Sequence, residues 1–174
     1  NKDVLYREST GIPMILAGPD IPQRVCKTNV SLVDVFQTIL EGVGVTTHAE
    51  DHSLPGQSLF QLAQQPDDPS RVGFSEYHAV GAETGAFMLT QGKYKFHYYV
   101  GYPSELFDLE ADPEEAHDLA ALPQYQPVLQ QFEALLRQML DPEAVDREAK
   151  RDQLALIERF GGREAALKLG YPGE

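Results

Sequence analysis

Two runs of alternating apolar and polar residues near the middle of the chain constrain its fold most. The first covers residues 87–89 and the second covers residues 94–100, with a break at Gly92 between them. Alternation is typical of half-buried strands, and a glycine-containing break between two such runs is typical of an antiparallel hairpin. A third short apolar run follows at residues 106–109. The sequence therefore predicts a small antiparallel sheet. A further strand is expected at residues 72–80, ahead of the hairpin.

Helical spacing of apolar residues predicts helices on both sides of this sheet. The first begins at Ser31, where Ser31 and Asp34 resemble a capping box ahead of an apolar stripe. The second covers residues 124–140, and a third begins at Asp141, an N-cap residue followed by proline at the first helical position. A short last helix is expected at residues 163–169. The predicted fold class is α/β, and α+β within this segment.

A continuous apolar run at residues 12–17 is bounded by glycine and proline and predicts a buried strand. Such a strand needs neighbours on both faces, and the rest of the chain offers few parallel partners. The chain also begins with Asn1 and not with methionine. We therefore expect a piece of a longer protein, with apolar surface exposed at residues 12–17 or paired with a second copy.

The charge of the chain excludes one class of partner. Its 27 acidic and 14 basic residues give a formal net charge of −13, whereas binding a nucleic-acid backbone requires a basic face. An anionic substrate is still compatible with this charge, since one or two cationic side chains can hold it. No apolar run approaches the roughly 20 residues of a membrane span, so we expect neither nucleic acid nor membrane as a partner.

Cys26 is the single cysteine, so an intrachain disulfide is impossible. We interpret Cys26 as a small buried residue. One cysteine and no visible signal peptide are compatible with a reducing compartment. The sequence thus favours a cytoplasmic location and leaves a periplasmic one open.

Two groups of residues are candidates for a site. Glu76, Tyr77 and His78 end a predicted strand beside glycines, and they form either part of a pocket wall or ordinary strand-end polarity. His48 and His52 are four residues apart, as metal ligands on a helix can be, but their neighbours are not helical and favour an exposed loop. Glycine-rich phosphate loops, G-x-S-x-G elbows and C-x-x-C pairs are absent from the sequence. Any nucleophile and metal ligands are therefore expected outside this segment.

Short stretches over about residues 2–120 resemble, in order, the C-terminal part of type I sulfatases of the alkaline phosphatase superfamily. They are K-x-x-x-Y-x-E-S at residues 2–9, an apolar strand ending in G-P at 13–19, S-L-V-D at 31–34, G-x-S-L at 56–59, S-E-Y at 75–77, K-Y-K at 93–95 and L-F-D-L-x-x-D-P-x-E at 106–115. The S-E-Y-H form and the helical tail are most similar to the bacterial choline-sulfatase-like branch.

The resemblance implies a sulfuric ester hydrolase with a formylglycine nucleophile and calcium or another divalent metal. Both would lie upstream, and no metal ligand is expected in this segment, which alone should be inactive. Cys26 does not match the family's C/S-x-P/A-x-R motif. Lys2 matches the lysine that contacts sulfate, where an ammonium neutralises charge that builds as the S–O bond breaks. The implied substrate is a small-molecule sulfate ester.

The resemblance also assigns roles to the candidate residues. Glu76, Tyr77 and His78 would line the substrate pocket, and Glu76 and Tyr77 would suit a quaternary ammonium ester by charge and by cation–π contact. The acidic turn at residues 110–115 is interpreted as a structural turn, not a calcium loop. Asp112 or Glu114 would cap the segment that follows.

Three parts are expected along the chain. Residues 1–70 would end the α/β sulfatase core, residues 71–140 would form the antiparallel-sheet subdomain with its packing helix, and residues 141–174 would form a helical tail for homo-oligomer contacts. Two alternatives stay open. One is a phosphonate monoester hydrolase or phosphodiesterase of the same superfamily, and the other is a non-catalytic assembly domain.

Overall fold

The computed structural model describes residues 4–46, 48–79 and 81–168, without the side chain of His52. Four antiparallel strands form one sheet in sequence order. They are β1 (Gly73–Tyr77), β2 (Ala86–Gln91), β3 (Tyr94–Tyr99) and β4 (Glu105–Asp108). The predicted hairpin is confirmed, since β2 and β3 pair from Ala86 opposite Tyr99 to Gln91 opposite Tyr94. Gly92 in the tight turn has a φ of +56°, which favours glycine.

The helices lie on both sides of the sheet in sequence, as expected. They are α1 (Arg7–Thr10), α2 (Val33–Gly42), α3 (Leu59–Gln64), α4 (Gln126–Met139), α5 (Pro142–Arg159) and α6 (Arg163–Lys168). The Asp141 side chain accepts a hydrogen bond from the Ala144 amide at 2.9 Å and caps α5 as predicted. The mixed fold class, α+β in this segment, is confirmed. No helix in the described ranges is long and apolar enough to cross a bilayer.

The predicted buried strand at residues 12–17 is wrong. The segment forms no regular element, and Ile12 and Ile15 are 44% and 88% exposed. A strand needs a neighbour to satisfy its backbone groups, none of the four described strands pairs with this segment, and Pro13 has no N–H to donate. The expected exposure of apolar surface here is confirmed.

The main core lies between one face of the sheet and α4. Its buried members are Phe87, Leu89, Phe96 and Leu106 from the strands, with Phe132 and Leu136 from α4. The rings of Phe96 and Phe132 lie 5.7 Å apart. Burying one such side chain stabilises the fold by roughly 1.5–3 kcal/mol. This face of the sheet therefore serves mainly for packing.

Helix α5 is joined to β3 and α4 by a small polar network. The Tyr98 hydroxyl donates to a Glu143 carboxylate oxygen at 2.5 Å, and Arg137 on α4 binds the same carboxylate at 2.8 Å. These contacts lower the pKa of Glu143 to about 2, the Arg137 hydrogen bond being the larger cause. The start of α5 is thereby held against the sheet.

Asp34 is the junction between α2 and the sheet. Its fully buried carboxylate accepts hydrogen bonds from the Arg71 guanidinium at 2.6 Å and from the Ser31 and Gln57 amides at 2.8 Å each. The bond to Ser31 is the capping contact that the sequence predicts, although α2 begins at Val33. Burial opposes ionisation, but Arg71 and the two amides outweigh it and lower the pKa of Asp34. The S-L-V-D stretch is thus structural.

Replacing Asp34 with asparagine tests this junction. We expect the free energy of unfolding to fall by about 3 kcal/mol at neutral pH, because breaking a buried ion pair leaves Arg71 without its partner. The folded-state pKa of Asp34 is lowered. Its carboxylate therefore stabilises the fold above the ordinary aspartate pKa of about 3.9, and this stabilisation is lost as the pH falls through the folded-state value.

Urea unfolding followed by circular dichroism, from neutral to acid pH, measures this difference. Asp152→Asn is the matched control, since Asp152 is exposed on α5 and pairs only at the surface with Arg151. The difference between the Asp34→Asn chain and the native chain should shrink in acid. Equal losses for both variants, or a difference that grows in acid, would contradict the assignment.

Candidate functional site

A cavity of about 760 Å³ lies between the N-terminal segment, residues 29–32 and the face of the sheet that points away from α4. Its walls include Leu5, Thr10, Tyr77, Met88, Lys95 and Glu115. The cavity forms because strand alternation sends every second side chain of β1, β2 and β3 to this face, which the short helix α1 and residues 29–32 cover only in part. Lys2, the predicted sulfate contact, lies outside the described residues.

The side chains of the three predicted pocket residues point to different faces of the sheet, because side chains alternate along β1. Tyr77 pairs with Ala86 and packs near Leu5 on the cavity face. Glu76 pairs with Phe87, a core residue, and so its side chain belongs to the α4 face. His78 follows the strand, with its Nε2 atom 3.4 Å from a Glu76 oxygen. The structure thus pairs the Glu76 and His78 side chains and directs that of Tyr77 to the other face, although Glu76 and Tyr77 both border the cavity.

Helix α5 fixes the connection that follows His78. The Asp146 carboxylate accepts a hydrogen bond from the Gly85 amide at 2.7 Å, and the Gln153 side-chain amide donates to the His78 carbonyl. Gly85 lies directly against the His78 ring, because a Cβ there would approach the ring's Cε1 atom to 2.8 Å. Burial raises the pKa of Asp146, but Lys150, the Gly85 amide and the charge of His78 lower it on balance. The ring position of His78 therefore depends on α5.

A buried ion pair joins β3 to the acidic turn. Lys95 is 2% exposed and Glu115 is 8% exposed, and the Lys95 ammonium lies 2.8 and 2.9 Å from the two carboxylate oxygens. The same carboxylate accepts the Arg7 amide at 3.2 Å, and the ammonium also reaches the Thr10 hydroxyl at 3.3 Å. Burial lowers the pKa of Lys95, and Glu115 partly offsets that effect. The pair therefore anchors α1 to the sheet.

The acidic turn behaves as the structural turn that the sequence predicts. The Asp112 carboxylate accepts the His117 amide at 2.8 Å and so caps the following segment. Glu114 instead pairs with Arg7 at the surface at 3.0 Å. Asp108 accepts the Glu110 amide at 3.1 Å. The carboxylates of Asp112, Glu114 and Glu115 are thus engaged by the protein's own donors.

A second polar cluster surrounds Glu105 at the start of β4. Its carboxylate accepts hydrogen bonds from the Tyr6 hydroxyl at 2.7 and 2.9 Å and from the Tyr99 hydroxyl at 2.8 Å, with His97 Nδ1 at 3.1 Å. Burial, followed by the bond to Glu105, raises the pKa of Tyr6 to about 12 and raises that of Tyr99 further. Burial opposes ionisation of Glu105, but the donors from His97, Tyr6 and Tyr99 lower its pKa.

Sequence reasoning missed this cluster and the Lys95–Glu115 pair. Tyr6 and Glu105 are 99 residues apart, and local periodicity carries no information on such a contact. One signal was available: Lys95, His97 and Tyr99 occupy the alternate, polar positions of a strand whose other positions are core residues. A polar stripe of this kind on a buried strand indicates that another polar segment covers it.

The described residues offer no site for the predicted metal. None of their His, Cys, Asp and Glu side chains form a group of three or more that could hold an ion. His48 precedes a short 3₁₀ turn, Ala49–Ser53, whose Asp51 carboxylate accepts the His48 amide at 2.8 Å. Cys26 is only partly buried, contrary to expectation, because it lies in an irregular segment that covers α3 on one side, with its sulfur 4.0 Å from the Leu62 carbonyl.

Comparisons with known proteins agree with the sequence resemblance. The family model described as N-sulphoglucosamine sulphohydrolase, C-terminal, matches residues 1–141. An arylsulfatase K of Danio rerio is 30% identical over 156 residues, which are 84% of this chain and 29% of the relative. A choline-sulfatase of Rhizobium meliloti is 29% identical over 151 residues, 85% of this chain and 29% of the relative.

A solved structure supports the same assignment. A Bacteroides thetaiotaomicron protein classed as a sulfatase superposes with a TM-score of 0.62 at 30% identity, over 78% of this chain and 30% of its own. The chain thus spans less than a third of the length of these relatives. Animal arylsulfatases and a bacterial choline-sulfatase both match, so the narrower choline-sulfatase-like branch stays a prediction. The chain belongs to the sulfatases, in the N-sulphoglucosamine sulphohydrolase C-terminal family.

Proposed function

We propose that this chain is the C-terminal part of a sulfatase that hydrolyses small-molecule sulfate esters. The observation that carries the proposal is the family match over residues 1–141, which includes Lys2 and every strand of the sheet. A formylglycine nucleophile and a divalent metal, calcium in our prediction, would lie upstream and would supply the attack on sulfur and the polarisation of the sulfate. In this proposal the chain itself contributes Lys2 and one wall of the substrate pocket.

The geometry supports this division of labour. The segment that follows Lys2 is held on the polar face of the sheet through Tyr6 and Arg7. An ammonium close to the sulfate would neutralise the charge that develops on the leaving oxygen. The sheet itself contributes rigidity through its apolar face, which packs on α4.

The complete enzyme should prefer sulfate to phosphonate esters. We expect kcat/KM for 4-nitrophenyl sulfate to exceed that for 4-nitrophenyl phenylphosphonate by at least about tenfold, a transition-state difference of roughly 1.4 kcal/mol. Release of nitrophenolate at a range of substrate concentrations measures both values. The reverse preference would favour the phosphonate hydrolase alternative, and no turnover of either ester would favour a non-catalytic assembly domain.

We further propose that the end of β1 sets the substrate range. Glu76 and His78 form a carboxylate–imidazole pair there, and Tyr77 presents an aromatic side chain to the cavity side. A carboxylate attracts a quaternary ammonium group, and an aromatic face adds cation–π attraction of about 0.5–2 kcal/mol.

Glu76→Gln should therefore raise KM for choline sulfate by about fivefold to tenfold, the loss of one exposed charge contact of roughly 1 kcal/mol. KM for 4-nitrophenyl sulfate, which has no cation, should stay within a factor of about two. Glu110→Gln is the matched control, since Glu110 is also exposed but lies in the acidic turn. Steady-state kinetics of the complete enzyme measure both KM values. Unchanged selectivity between the two esters in Glu76→Gln would show that Glu76 does not contact the substrate.

We also propose that the tail over residues 141–174 contributes to a homo-oligomer. Large apolar side chains are exposed on its described helices and on the turn between them, namely Leu154, Leu156, Phe160 and Leu167. Helices α5 and α6 follow the segment that matches the family model. Exposed apolar side chains of this number on two adjacent helices favour a protein–protein contact.

The double variant Leu154→Glu/Phe160→Glu should lower the molar mass of the complete enzyme to that of one chain. Two buried charges in an apolar interface cannot be accommodated, whereas α5 keeps its bonds through Asp146 and Glu143. Static light scattering after size-exclusion chromatography measures the mass. Leu122→Glu, at an exposed position outside the tail, is the control. An unchanged mass in the double variant would rule the tail out as the contact.

A further inference from the structure

The imidazole ring of His78 is packed against three neighbours. Its Nε2 atom lies 3.4 Å from a carboxylate oxygen of Glu76. Its centroid lies 5.2 Å from that of Phe87, a core residue of β2, in an edge-to-face arrangement. The backbone of Gly85 touches the ring as well, because a Cβ there would lie 2.8 Å from the Cε1 atom and 2.9 Å from Nδ1. The position of the imidazole therefore depends on what holds Gly85.

The two ring nitrogens of His78 are unequally satisfied. The Nδ1 atom is buried and has no hydrogen-bond partner among the described residues, so the contact of Nε2 with Glu76 is the polar contact that orients the ring. The tautomer with its proton on Nε2 fits this arrangement, since Nδ1 then has no hydrogen to place. At 3.4 Å the contact is long, and a small shift of the ring would break it. The Glu76 side chain is 43% exposed, so a ligand can reach its carboxylate.

Helix α5 holds the backbone at two points beside this ring. Asp146 is 6% exposed, and its carboxylate accepts the Gly85 amide at 2.7 Å on one oxygen and the Lys150 ammonium at 2.9 Å on the other. The Gln153 side-chain amide donates to the carbonyl of His78 itself. A hydrogen bond to a charged acceptor is roughly twice as strong as one between neutral groups. The bond from Gly85 to Asp146 is therefore the stronger of the two attachments.

We infer that Asp146 is a positioning residue of the substrate pocket: by holding Gly85 against the imidazole of His78, it fixes the direction of the carboxylate at the end of β1. The inference rests on the proposed function, in which Glu76 contacts a cationic group of the substrate. Asp146 makes no contact with substrate itself, since its two oxygens are bonded within the protein. Helix α5 would thus influence substrate selectivity in addition to its proposed role in oligomer contacts.

Replacement of Asp146 by alanine removes the acceptor of the Gly85 amide, whereas Asp146→Asn keeps an acceptor oxygen. In the complete enzyme we expect Asp146→Ala to raise KM for choline sulfate about threefold to fivefold, part of the effect of losing the exposed charge contact, and to leave kcat within a factor of about two. KM for 4-nitrophenyl sulfate, which has no cation, should stay native. Asp146→Asn should restore most of the native KM for choline sulfate. A general loss of stability would instead affect both esters alike.

Gly85→Ala disturbs the same contact without altering α5. Its new methyl group would meet the imidazole, so we expect a similar rise in KM for choline sulfate. Lys150→Gln is the matched control, because it changes the other oxygen's partner and leaves the acceptor of the Gly85 amide in place. Both KM values should stay native in this variant.

A double variant shows whether Asp146 acts through Glu76. Glu76→Gln combined with Asp146→Ala should raise KM for choline sulfate no further than Glu76→Gln alone, because both changes remove the same contact with substrate. Steady-state kinetics of each variant with both esters measure the effects.

The outcomes separate the inference from the function on which it rests. A complete enzyme without sulfatase activity, or native selectivity in Glu76→Gln, overturns the proposed pocket and the inference together. A shift of selectivity in Glu76→Gln, with native KM in Asp146→Ala and Gly85→Ala, overturns the positioning role alone. Equal effects of Asp146→Asn and Asp146→Ala, or effects that multiply in the double variant, overturn it too. Should Asp146→Ala fail to fold, Gly85→Ala takes its place in the double variant, since it leaves α5 unchanged.

Discussion

Two carboxylates on one face of the sheet, Glu105 and Glu115, hold the N-terminal segment in place, and the arrangement of the site depends on them. Burying a carboxylate is unfavourable unless cations or hydrogen-bond donors surround it. Each of the two is surrounded: Glu115 binds Lys95 and the Arg7 amide, and Glu105 binds two phenols and His97. Such contacts add little net stability relative to an apolar interior, but they join the segment to the sheet at defined points.

The geometry of Glu115 fits this interpretation. Its φ of +55° lies in the left-handed region, which is unfavourable for a residue other than glycine. A conformation of this kind persists only where the surroundings impose it. The buried pair with Lys95 is such a constraint, and it places the acidic turn where Glu114 also reaches Arg7. The acidic turn at residues 110–115 thus helps to hold α1 against the sheet.

Elements with a local pattern could be predicted from the sequence. The β2–β3 hairpin, the Asp141 cap of α5 and the capping bond of Asp34 all depend on neighbours within a few residues. The strand expected at residues 12–17 could not be predicted correctly, because a strand depends on a pairing partner that composition does not reveal. The contact of Tyr6 with Glu105 spans 99 residues and left only an indirect trace, the polar positions of β3.

The candidate site residues show the same difference between local patterns, which the sequence reveals, and long-range contacts, which it does not. Glu76, Tyr77 and His78 were grouped because they are adjacent in sequence, yet alternation along β1 separates Tyr77 from the other two. That separation follows from the two-residue period of a strand and could have been predicted from the sequence. The role of α5 in fixing the connection that follows His78 could not have been predicted, because it depends on Asp146 and Gln153, more than 60 residues away.

The most direct test of this account is hydrogen–deuterium exchange of the amides in residues 5–11 in the native chain and in Glu105→Gln. The Thr10 and Gly11 amides are bonded within α1, at 3.0 and 2.7 Å, and should exchange slowly while the segment is clamped. We predict that Glu105→Gln accelerates their exchange and leaves the amides of β2 and β3 unchanged. Equal exchange of α1 in both proteins would contradict the claim that Glu105 holds the segment.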